Sequence, residues 1–478
     1  MTSPQLPIDQ LPDWARLNGI ELLNARVDQV ERKGWGLLYT NDAITENSTL
    51  LRVSRDLVLS AEAVDDFAKV DQNFRKLLNM AGHESARKDI LLYLFAQLIN
   101  QGPGQPRSSL ARSPWTTYIN FLDRELLLPT QWSEDERELL VGTSLESALD
   151  AKLTALSVEL DQLLENFSGE ADFWSGLCSD RDFCLRQWTL ADAWYRSRSL
   201  ELPQTGHAMV PGLDMANHSH EPNAYYEESR QGDVLLLLRP GYDALDEKEV
   251  TISYGQEKSA AEMLFSYGFI DQQASREDMT LSLDSFSDDP LAKAKLHIYA
   301  GPPTVKLSRS NGVVTWSSPL LHLMCLNEED GLEFRVLQDA ITGGRQLKMF
   351  WQDEDITERA HDLERLTEDH PLCSVFRLRA VATLSGLLTA QLERIRLPLS
   401  GGEAQQEEQG QIRQECLSSA KLLRQIETSI LEDAAQELEQ QQATLLCDKH
   451  VVAYLGSTED TKNEQASPDS ANEDDDFS

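Results

Sequence analysis

The sequence predicts an α+β fold in which a β-rich domain is interrupted by a helical insertion and followed by a mainly α-helical domain. Short apolar runs of strand length, separated by turn residues, fill residues 14–59. Apolar residues take up helical spacing from about Ala61. Strand patterns return near Met209 and continue to residue 254, so two separate stretches of the chain build one β-rich domain.

These changes of pattern set the predicted domain boundaries. We assign the first part of the β-rich domain to 14–62, the helical insertion to 63–184, the second part of the β-rich domain to 185–275, a helical domain to 276–455 and an acidic tail to 456–478.

The C-terminal domain has mixed character up to about Leu320 and is predicted to be helical beyond it. Its clearest element is an amphipathic stripe between Ile412 and Leu438, where apolar residues recur every three or four positions. Such a stripe is typical of a helix that packs on its own domain. The tail is rich in acids and has no sustained apolar pattern, which predicts disorder.

The composition and net charge of the chain indicate which classes of molecule it can bind. The chain has 478 residues, 41% of them hydrophobic and 26% charged, as in an ordinary globular protein. Its 43 Lys and Arg residues stand against 80 Asp and Glu residues, which gives a formal net charge of −37. This charge repels phosphate backbones and argues against direct nucleic-acid binding. It attracts basic proteins, which we expect as partners.

The cysteines, at positions 178, 184, 325, 373, 416 and 447, form no CxxC pair and no Cys/His cluster with metal-ligand spacing. We therefore expect no metal. The first residues lack the basic and apolar segments of a signal peptide, and no apolar run approaches the roughly twenty residues of a membrane span. We expect reduced thiols, no membrane partner, a monomer, and a location in the cytoplasm, the nucleus or both.

Three short segments suggest chemistry. Gly34-Trp35-Gly36 brings two glycines to a position where the backbone can closely approach a ligand, although a plain β-turn explains it as well. Asp214, Asn217 and His218 follow an apolar run, where polar groups satisfy a specific partner or cap a turn. Tyr254-Gly255 ends a strand and is followed by Tyr267-Gly268-Phe269, aromatic residues that suit either a site or a core.

Together and in this order, these segments resemble the SET-domain methyltransferases, and most closely the group of the Rubisco large-subunit lysine methyltransferase. Further similarity lies in the strand at residues 51–59, in Pro114-Trp115 with Tyr118, and in Arg196-Ser197-Arg198 upstream of the Asn-His segment. In that group the SET domain is split by a helical insertion and followed by a helical substrate-binding domain. The specific likeness covers roughly residues 14–275.

The resemblance implies transfer of a methyl group from S-adenosylmethionine to a lysine ε-amine, or to a histidine ring in one branch. Tyr254 matches the catalytic tyrosine, which orients the amine. Arg198 matches the arginine that pairs with the cofactor carboxylate, and either Tyr225 or Tyr226 is expected to grip the substrate side chain. The remaining residues assigned to the cofactor pocket are Lys33, Gly34, Trp35, Gly36, Asp214, Asn217, His218, Tyr267 and Phe269.

Three functions stay open at this point. The first is a protein-lysine N-methyltransferase for a basic, non-histone protein such as a ribosomal protein or translation factor. The second is a protein-histidine N-methyltransferase, whose acceptor is neutral far more often at cellular pH. The third is a non-catalytic acidic protein that binds basic clients.

Overall fold

A computed structural model of the chain describes residues 5–31, 33–40, 48–101, 110–167, 173–242, 248–255, 257–273, 276–283, 289–338, 344–397 and 412–456. The chain divides into two compact units. Unit 1 comprises Met1–Leu140, Leu145–Ala274 and Gly401–Lys421, and unit 2 comprises Val141–Ser144, Ser275–Ser400 and Leu422–Ser478. The predicted acidic tail lies outside the described residues, apart from residue 456.

Unit 1 contains the β-rich part of the fold. Its strands are β1 Ile20–Leu22, β2 Ala25–Val30, β3 Gly34–Tyr39, β4 Thr49–Val53, β5 Ser199–Leu202, β6 Gly206–Met209, β7 Asn217–His218, β8 Ala224–Glu228, β9 Val234–Leu238 and β10 Glu249–Ile252. They form two four-stranded sheets, β1-β4-β9-β8 and β2-β3-β10-β7, and the hairpin β5-β6. Each four-stranded sheet joins strands from both sides of the helical block, which confirms the predicted α+β fold with a split β-rich domain.

The helices of unit 1 are α1 Leu11–Leu17, α2 Ala61–Val70, α3 Gln72–Ala81, α4 Ala86–Asn100, α5 Pro114–Tyr118, α6 Glu134–Glu138, α7 Leu145–Glu165, α8 Phe173–Leu177, α9 Arg181–Arg198 and α10 Ala260–Tyr267. The Asp180 side chain caps α9 by accepting a hydrogen bond from Phe183 N–H. Helix α9 buries Trp188 and Trp194 completely, and this packing fixes the position of its last residue, Arg198.

Strand pairing brings the chemically suggestive segments together. Strand β7 runs parallel to β10, with Asn217 opposite Thr251 and His218 opposite Ile252. Strand β10 also pairs with β3 in the antiparallel sense, with Val250 opposite Leu37. The glycines of β3, the Asn-His pair of β7 and the chain that leaves β10 toward Tyr254 therefore lie side by side.

Unit 2 combines helices with two small antiparallel sheets. Its elements are β11 Arg276–Ser282, α11 Ala292–Tyr299, β12 Thr304–Ser310, β13 Val313–Ser317, α12 Pro319–Met324, β14 Leu332–Gln338, β15 Arg345–Trp351, β16 Glu354–Asp355, α13 Leu363–Leu366 and α14 Cys373–Arg396, and the helix α15 Gln414–Leu446 belongs to it from Leu422 onward. The sheet β14-β15-β16 lies in the stretch that we predicted to be helical. Most side chains of β14 are exposed, so its sequence lacks the alternation that reveals a strand.

Two long helices, α15 and α14, bear on the predictions made from the sequence. Helix α15 follows the predicted amphipathic stripe and buries Cys416, Ala420, Ile430 and Leu438. Helix α14 is, among the described residues, the one helix long and apolar enough to cross a membrane, with 33% of its most apolar window buried. Its buried residues other than Val375 belong to the hydrophobic core of unit 2, and core helices commonly pass the same test. In the described parts of the chain, no three His, Cys, Asp or Glu side chains are grouped to hold a metal ion.

Gly268 allows α10 to end beside the aromatic residues of the site. It has a φ of +83°, and a Cβ there would lie 2.9 Å from the carbonyl carbon of Leu127. We expect Gly268→Ala to lower the free energy of unfolding by roughly 2–4 kcal/mol, because left-handed backbone strain and a backbone clash add. Gly206 has a φ of +75° but open space around it, so Gly206→Ala should cost only about 1–2 kcal/mol. Urea denaturation of both variants measures the difference, and equal losses would contradict the clash.

Candidate active site

A cavity of about 450 Å³ in unit 1 collects ten of the residues that the sequence assigned to a site. They come from the start of β3 and the residue before it, the end of α9, the turn before β7, β7 itself, the chain after β10, and the end of α10 with the residues that follow it. The ten are Lys33, Gly34, Trp35, Arg198, Asp214, Asn217, His218, Tyr254, Tyr267 and Phe269. Gly36 does not line the cavity but lies behind Asn217, where a Cβ would be 2.8 Å from the Asn217 amide nitrogen.

A second cavity of about 680 Å³ shares lining residues with the first. Both are lined by Arg198, Tyr254 and Tyr267, so these residues border both spaces, and we call this border the junction. Tyr226 lines the second cavity, whereas Tyr225 lines neither and its ring faces the guanidinium of Arg239 at 5.8 Å. Because successive strand residues point to opposite faces, only one of the two tyrosines of β8 can reach this space.

Tyr254 is held by one hydrogen bond of its side chain and two of its backbone. Its hydroxyl donates to the carbonyl oxygen of Ala216 at 2.8 Å, and its backbone N–H donates to His218 Nδ1 at 3.1 Å. Its own carbonyl accepts a bond from the Tyr267 hydroxyl at 3.1 Å, with the two ring centroids 4.5 Å apart. Burial raises the pKa of the Tyr254 hydroxyl, which keeps it protonated at neutral pH. Because the Tyr254 hydroxyl donates its hydrogen bond to Ala216, its oxygen can still accept a hydrogen bond from a ligand.

The His218 side chain links the Asn-His segment to Tyr254. Its Nδ1 accepts from the Tyr254 N–H, so the neutral ring carries its proton on Nε2, 3.3 Å from Asp271 Oδ2. Burial lowers the pKa of His218, and the nearby Asp271 carboxylate only partly opposes this. A neutral His218 therefore fixes the backbone from which the Tyr254 side chain projects.

Arg198 and Asp214 form an ion pair at the junction of the cavities. The Asp214 side chain is fully buried, and its Oδ2 lies 3.4 Å from Arg198 Nη1. The Tyr118 hydroxyl donates to its other oxygen, and the Gly212 N–H donates to the same oxygen at 2.9 Å. Burial disfavours the Arg198 cation, but the Asp214 carboxylate outweighs this and raises the pKa of Arg198. Arg198 therefore keeps its charge inside the protein.

Asn217 is oriented by a carboxylate that the sequence did not single out. Its amide nitrogen donates to Glu249 Oε1 at 2.9 Å and lies 3.4 Å from the carbonyl oxygen of Trp35. Glu249 Oε2 in turn accepts from Lys33 Nζ at 2.7 Å. The side chain of Glu249 is only 18% exposed, whereas that of Lys33 is 44% exposed. The Asn217 amide oxygen is thereby turned away from Glu249 and remains available as an acceptor.

The sequence did not reveal the residues that hold the predicted site residues in place, among them Glu249, Tyr118 and Asp271. Glu249 could have been recognised from its position in the sequence, because it is the first residue of the strand β10 that leads to Tyr254. Tyr118 belongs to a segment that supported the resemblance, but its hydrogen bond to Asp214 joins residues far apart in sequence. Such a contact depends on how α5 and the turn that precedes β7 approach each other, which no local pattern reveals.

The arrangement suits a reaction between two ligands that meet at Tyr254. One small molecule fits the first cavity, within the usual range of roughly 300–1,000 Å³ for such sites. A second group can approach Tyr254 from the other cavity, which is also lined by Tyr254 and Tyr267. An in-line displacement requires this entry of donor and acceptor from opposite sides.

Comparison with known proteins agrees with this architecture. The chain is 28% identical over 372 residues to "SET domain-containing protein 8" of Schizosaccharomyces pombe, an alignment that covers 77% of this chain and 82% of that protein. It is 25% identical over 369 residues to the ribulose-1,5-bisphosphate carboxylase/oxygenase large subunit N-methyltransferase of Pisum sativum, covering 73% and 70%. No protein-family model matches the sequence.

Solved structures share the fold. The structure of Rubisco LSMT bound to AdoMet superposes with a TM-score of 0.65 at 19% identity, covering 92% of this chain and 93% of that one. The SET domain of LSMT bound to lysine and AdoHcy gives a TM-score of 0.64 at 20% identity, covering 92% of each chain. The predicted resemblance to the SET-domain proteins of this group is confirmed.

We expect the protein to lose stability at mildly acidic pH through His218. Its pKa is lowered from the ordinary value of 6.5, so the unfolded chain takes up a proton before the folded chain does. The stability contributed by the neutral ring is present above pH 6.5 and is lost as the pH falls toward the folded-state pKa.

Thermal denaturation between about pH 7.5 and pH 5 measures this loss. The wild-type Tm should fall more than that of His218→Asn, whose amide oxygen can accept the Tyr254 N–H without titrating. Parallel falls in the two proteins would exclude His218 as the cause.

Proposed function

We propose that this SET-domain protein of the Rubisco large-subunit methyltransferase-like group is a protein-lysine N-methyltransferase that uses S-adenosylmethionine. Its relative in Pisum sativum is named an N-methyltransferase, and a relative in Arabidopsis thaliana, 25% identical over 279 residues, is named a fructose-bisphosphate aldolase-lysine N-methyltransferase. The structures that share the fold hold AdoMet, or AdoHcy with lysine. The observation that carries the proposal is the junction of two cavities at Tyr254.

The residues of the smaller cavity fit S-adenosylmethionine. The Nε of Arg198 is buried and makes no hydrogen bond to any described residue, so the guanidinium can pair with the carboxylate of the cofactor. The Asn217 amide oxygen can accept from the cofactor's amino group, and Gly34 exposes its backbone to the cavity without a side chain. When bound, the cofactor supplies an electrophilic methyl group.

The residues at the junction prepare the acceptor nitrogen. The apolar rings of Tyr254 and Tyr267 desolvate an entering lysine, which lowers its pKa and favours the neutral amine. The Tyr254 hydroxyl accepts one N–H of that amine and turns the nitrogen lone pair toward the methyl donor. Tyr254 is an orienting group and not a base, because its raised pKa makes the phenolate scarce at neutral pH.

We extend the proposal to a basic, non-histone protein substrate, such as a ribosomal protein or translation factor. The support is the net charge of −37, which steers cationic proteins toward this chain.

Quantitative mass spectrometry of methylated peptides from cells with and without the protein tests the function. We expect methyl-lysine on basic proteins to depend on it. Methyl-histidine in its place would favour the second function. Calorimetry that detects no binding of S-adenosylmethionine would favour the non-catalytic function.

Removal of the Tyr254 hydroxyl should separate catalysis from cofactor binding. We expect Tyr254→Phe to lower kcat by roughly tenfold or more, because an orienting hydrogen bond contributes about 1–3 kcal/mol. The Kd for S-adenosylmethionine should change less than about twofold, since the hydroxyl donates to Ala216 within the protein.

A matched control is Tyr39→Phe, which removes a buried hydroxyl that makes no hydrogen bond to the described residues and lies outside both cavities. Methyl-transfer kinetics and calorimetry give the two quantities. Normal turnover by Tyr254→Phe would refute the role of that hydroxyl.

Loss of the Glu249 carboxylate should weaken cofactor binding. Because Glu249 orients Asn217, we expect Glu249→Ala to raise the Kd for S-adenosylmethionine by roughly tenfold, the equivalent of about 1.4 kcal/mol. Lys33→Met removes only the half-exposed partner of Glu249 and should change the Kd by less than about threefold. Calorimetry measures both constants. A larger effect at Lys33 than at Glu249 would contradict the orienting role.

A further inference from the structure

The larger cavity carries positive charge in a strongly acidic protein. It extends from Tyr254 and Tyr267 to the side chains of Arg87 on α4 and Lys152 on α7. Its lining includes five Lys or Arg side chains and three carboxylates, although the chain has a net charge of −37. A local excess of cations in a concave, partly dehydrated space is a feature that binds anionic groups.

The cations at the far end are gathered around one carboxylate. The side chain of Asp192 is 1% exposed, and its Oδ1 accepts from Arg87 Nη2 at 2.7 Å and from Lys152 Nζ at 2.8 Å. Its Oδ2 lies 3.5 Å from Arg196 Nε. Burial alone would raise the pKa of Asp192, but Lys152 and Arg196 outweigh it and hold that pKa below its ordinary value. The carboxylate is therefore ionised.

A second carboxylate, Glu159, completes the cluster but does not neutralise it. Glu159 accepts from both terminal nitrogens of Arg87, at 2.9 and 3.2 Å. Three cations thus share two carboxylates, which leaves one positive charge in excess. An anion that enters the cavity can bind there without displacing either carboxylate.

Lys152 is the cation best placed to receive such a group. Its side chain is 22% exposed, in contrast to the buried Asp192, and its ammonium group carries three N–H donors. In the described part of the chain, its one hydrogen-bond acceptor is Asp192 Oδ1. Arg87, with a side chain 29% exposed, stands beside it. Donors of both residues can therefore face the cavity.

We propose that Arg87 and Lys152 bind a carboxylate side chain of the substrate, an Asp or Glu about two to four residues from the methylated lysine. This inference rests on the proposed function, in which the acceptor nitrogen lies at Tyr254. Helix α9 sets the spacing, since Asp192 and Arg198 are separated by roughly 9 Å along it. An extended peptide covers that distance in about three residues.

This local preference is compatible with a basic substrate. The net charge of −37 acts on the whole approaching protein. The charges of Arg87 and Lys152 act on a single side chain, because at physiological ionic strength they are screened beyond about 8 Å. The field of the chain thus brings a basic protein to the surface, and the Arg87–Lys152 subsite selects the lysine within it.

A peptide library tests the subsite. The full-length protein is incubated with S-adenosylmethionine and peptides that contain one lysine flanked by randomised positions, including phosphoserine, and methylation is measured by mass spectrometry. We expect Asp and Glu to be enriched several-fold at one position about two to four residues from the lysine. Enrichment of phosphoserine well above Asp and Glu would overturn the carboxylate assignment.

Charge reversal gives the sharper test. Lys152→Glu should reduce kcat/KM for the best acidic peptide by roughly tenfold or more and shift the preference toward Lys and Arg. Because Glu beside Asp192 can impair folding, Lys152→Met is measured as well. Its kcat/KM for the acidic peptide should fall to the value that the same variant shows for a peptide with Ala at that position, so that the acidic preference is lost. Lys69→Met, which removes an exposed lysine paired with Asp66 outside the cavity, should keep the preference.

Two outcomes overturn the proposals separately. A library that is methylated without an acidic preference, or a Lys152→Met variant that retains it, refutes the subsite alone. A library in which no lysine is methylated refutes the proposed function, and the subsite with it.

Discussion

The parallel pairing of β7 with β10 is the constraint on which the candidate site depends. It places Asn217 and His218 beside the strand that leads to Tyr254. From that register, His218 Nδ1 reaches the Tyr254 backbone N–H, and Asn217 reaches Glu249 at the start of the same strand. The short strand β7 has only two residues, so the large flanking sheets and helices must hold it in place.

Most buried polar groups of the site have a hydrogen-bond partner among the described residues, and a few keep an unused donor or acceptor for a ligand. Asp214 takes hydrogen bonds from Tyr118 and Gly212 and faces Arg198, yet the Arg198 Nε is left without a partner among the described residues. Tyr254 donates its proton to Ala216 and keeps its oxygen lone pairs. Such groups are held in advance in the orientation that a ligand needs, so little reorganisation is required on binding.

Much of the architecture could be predicted from the sequence, because it depends on periodicity. The change from strand to helical spacing near Ala61 and back again near Met209 revealed a β-rich domain in two parts. The ordered motifs identified residues that line one cavity. The partners of those residues could not be predicted, since Glu249, Tyr118 and Asp271 act through strand register and packing between distant segments. The mostly exposed strand β14 was also missed, because exposed strands lack an apolar signature.

A crystal structure with S-adenosylhomocysteine and a lysine peptide tests the central claim most directly. The account predicts the homocysteine end beside Arg198 and Asn217 in the smaller cavity, the lysine in the larger one, and the lysine nitrogen within hydrogen-bond distance of the Tyr254 hydroxyl. A structure in which both ligands occupy the same cavity, or in which the lysine is remote from Tyr254, would contradict it.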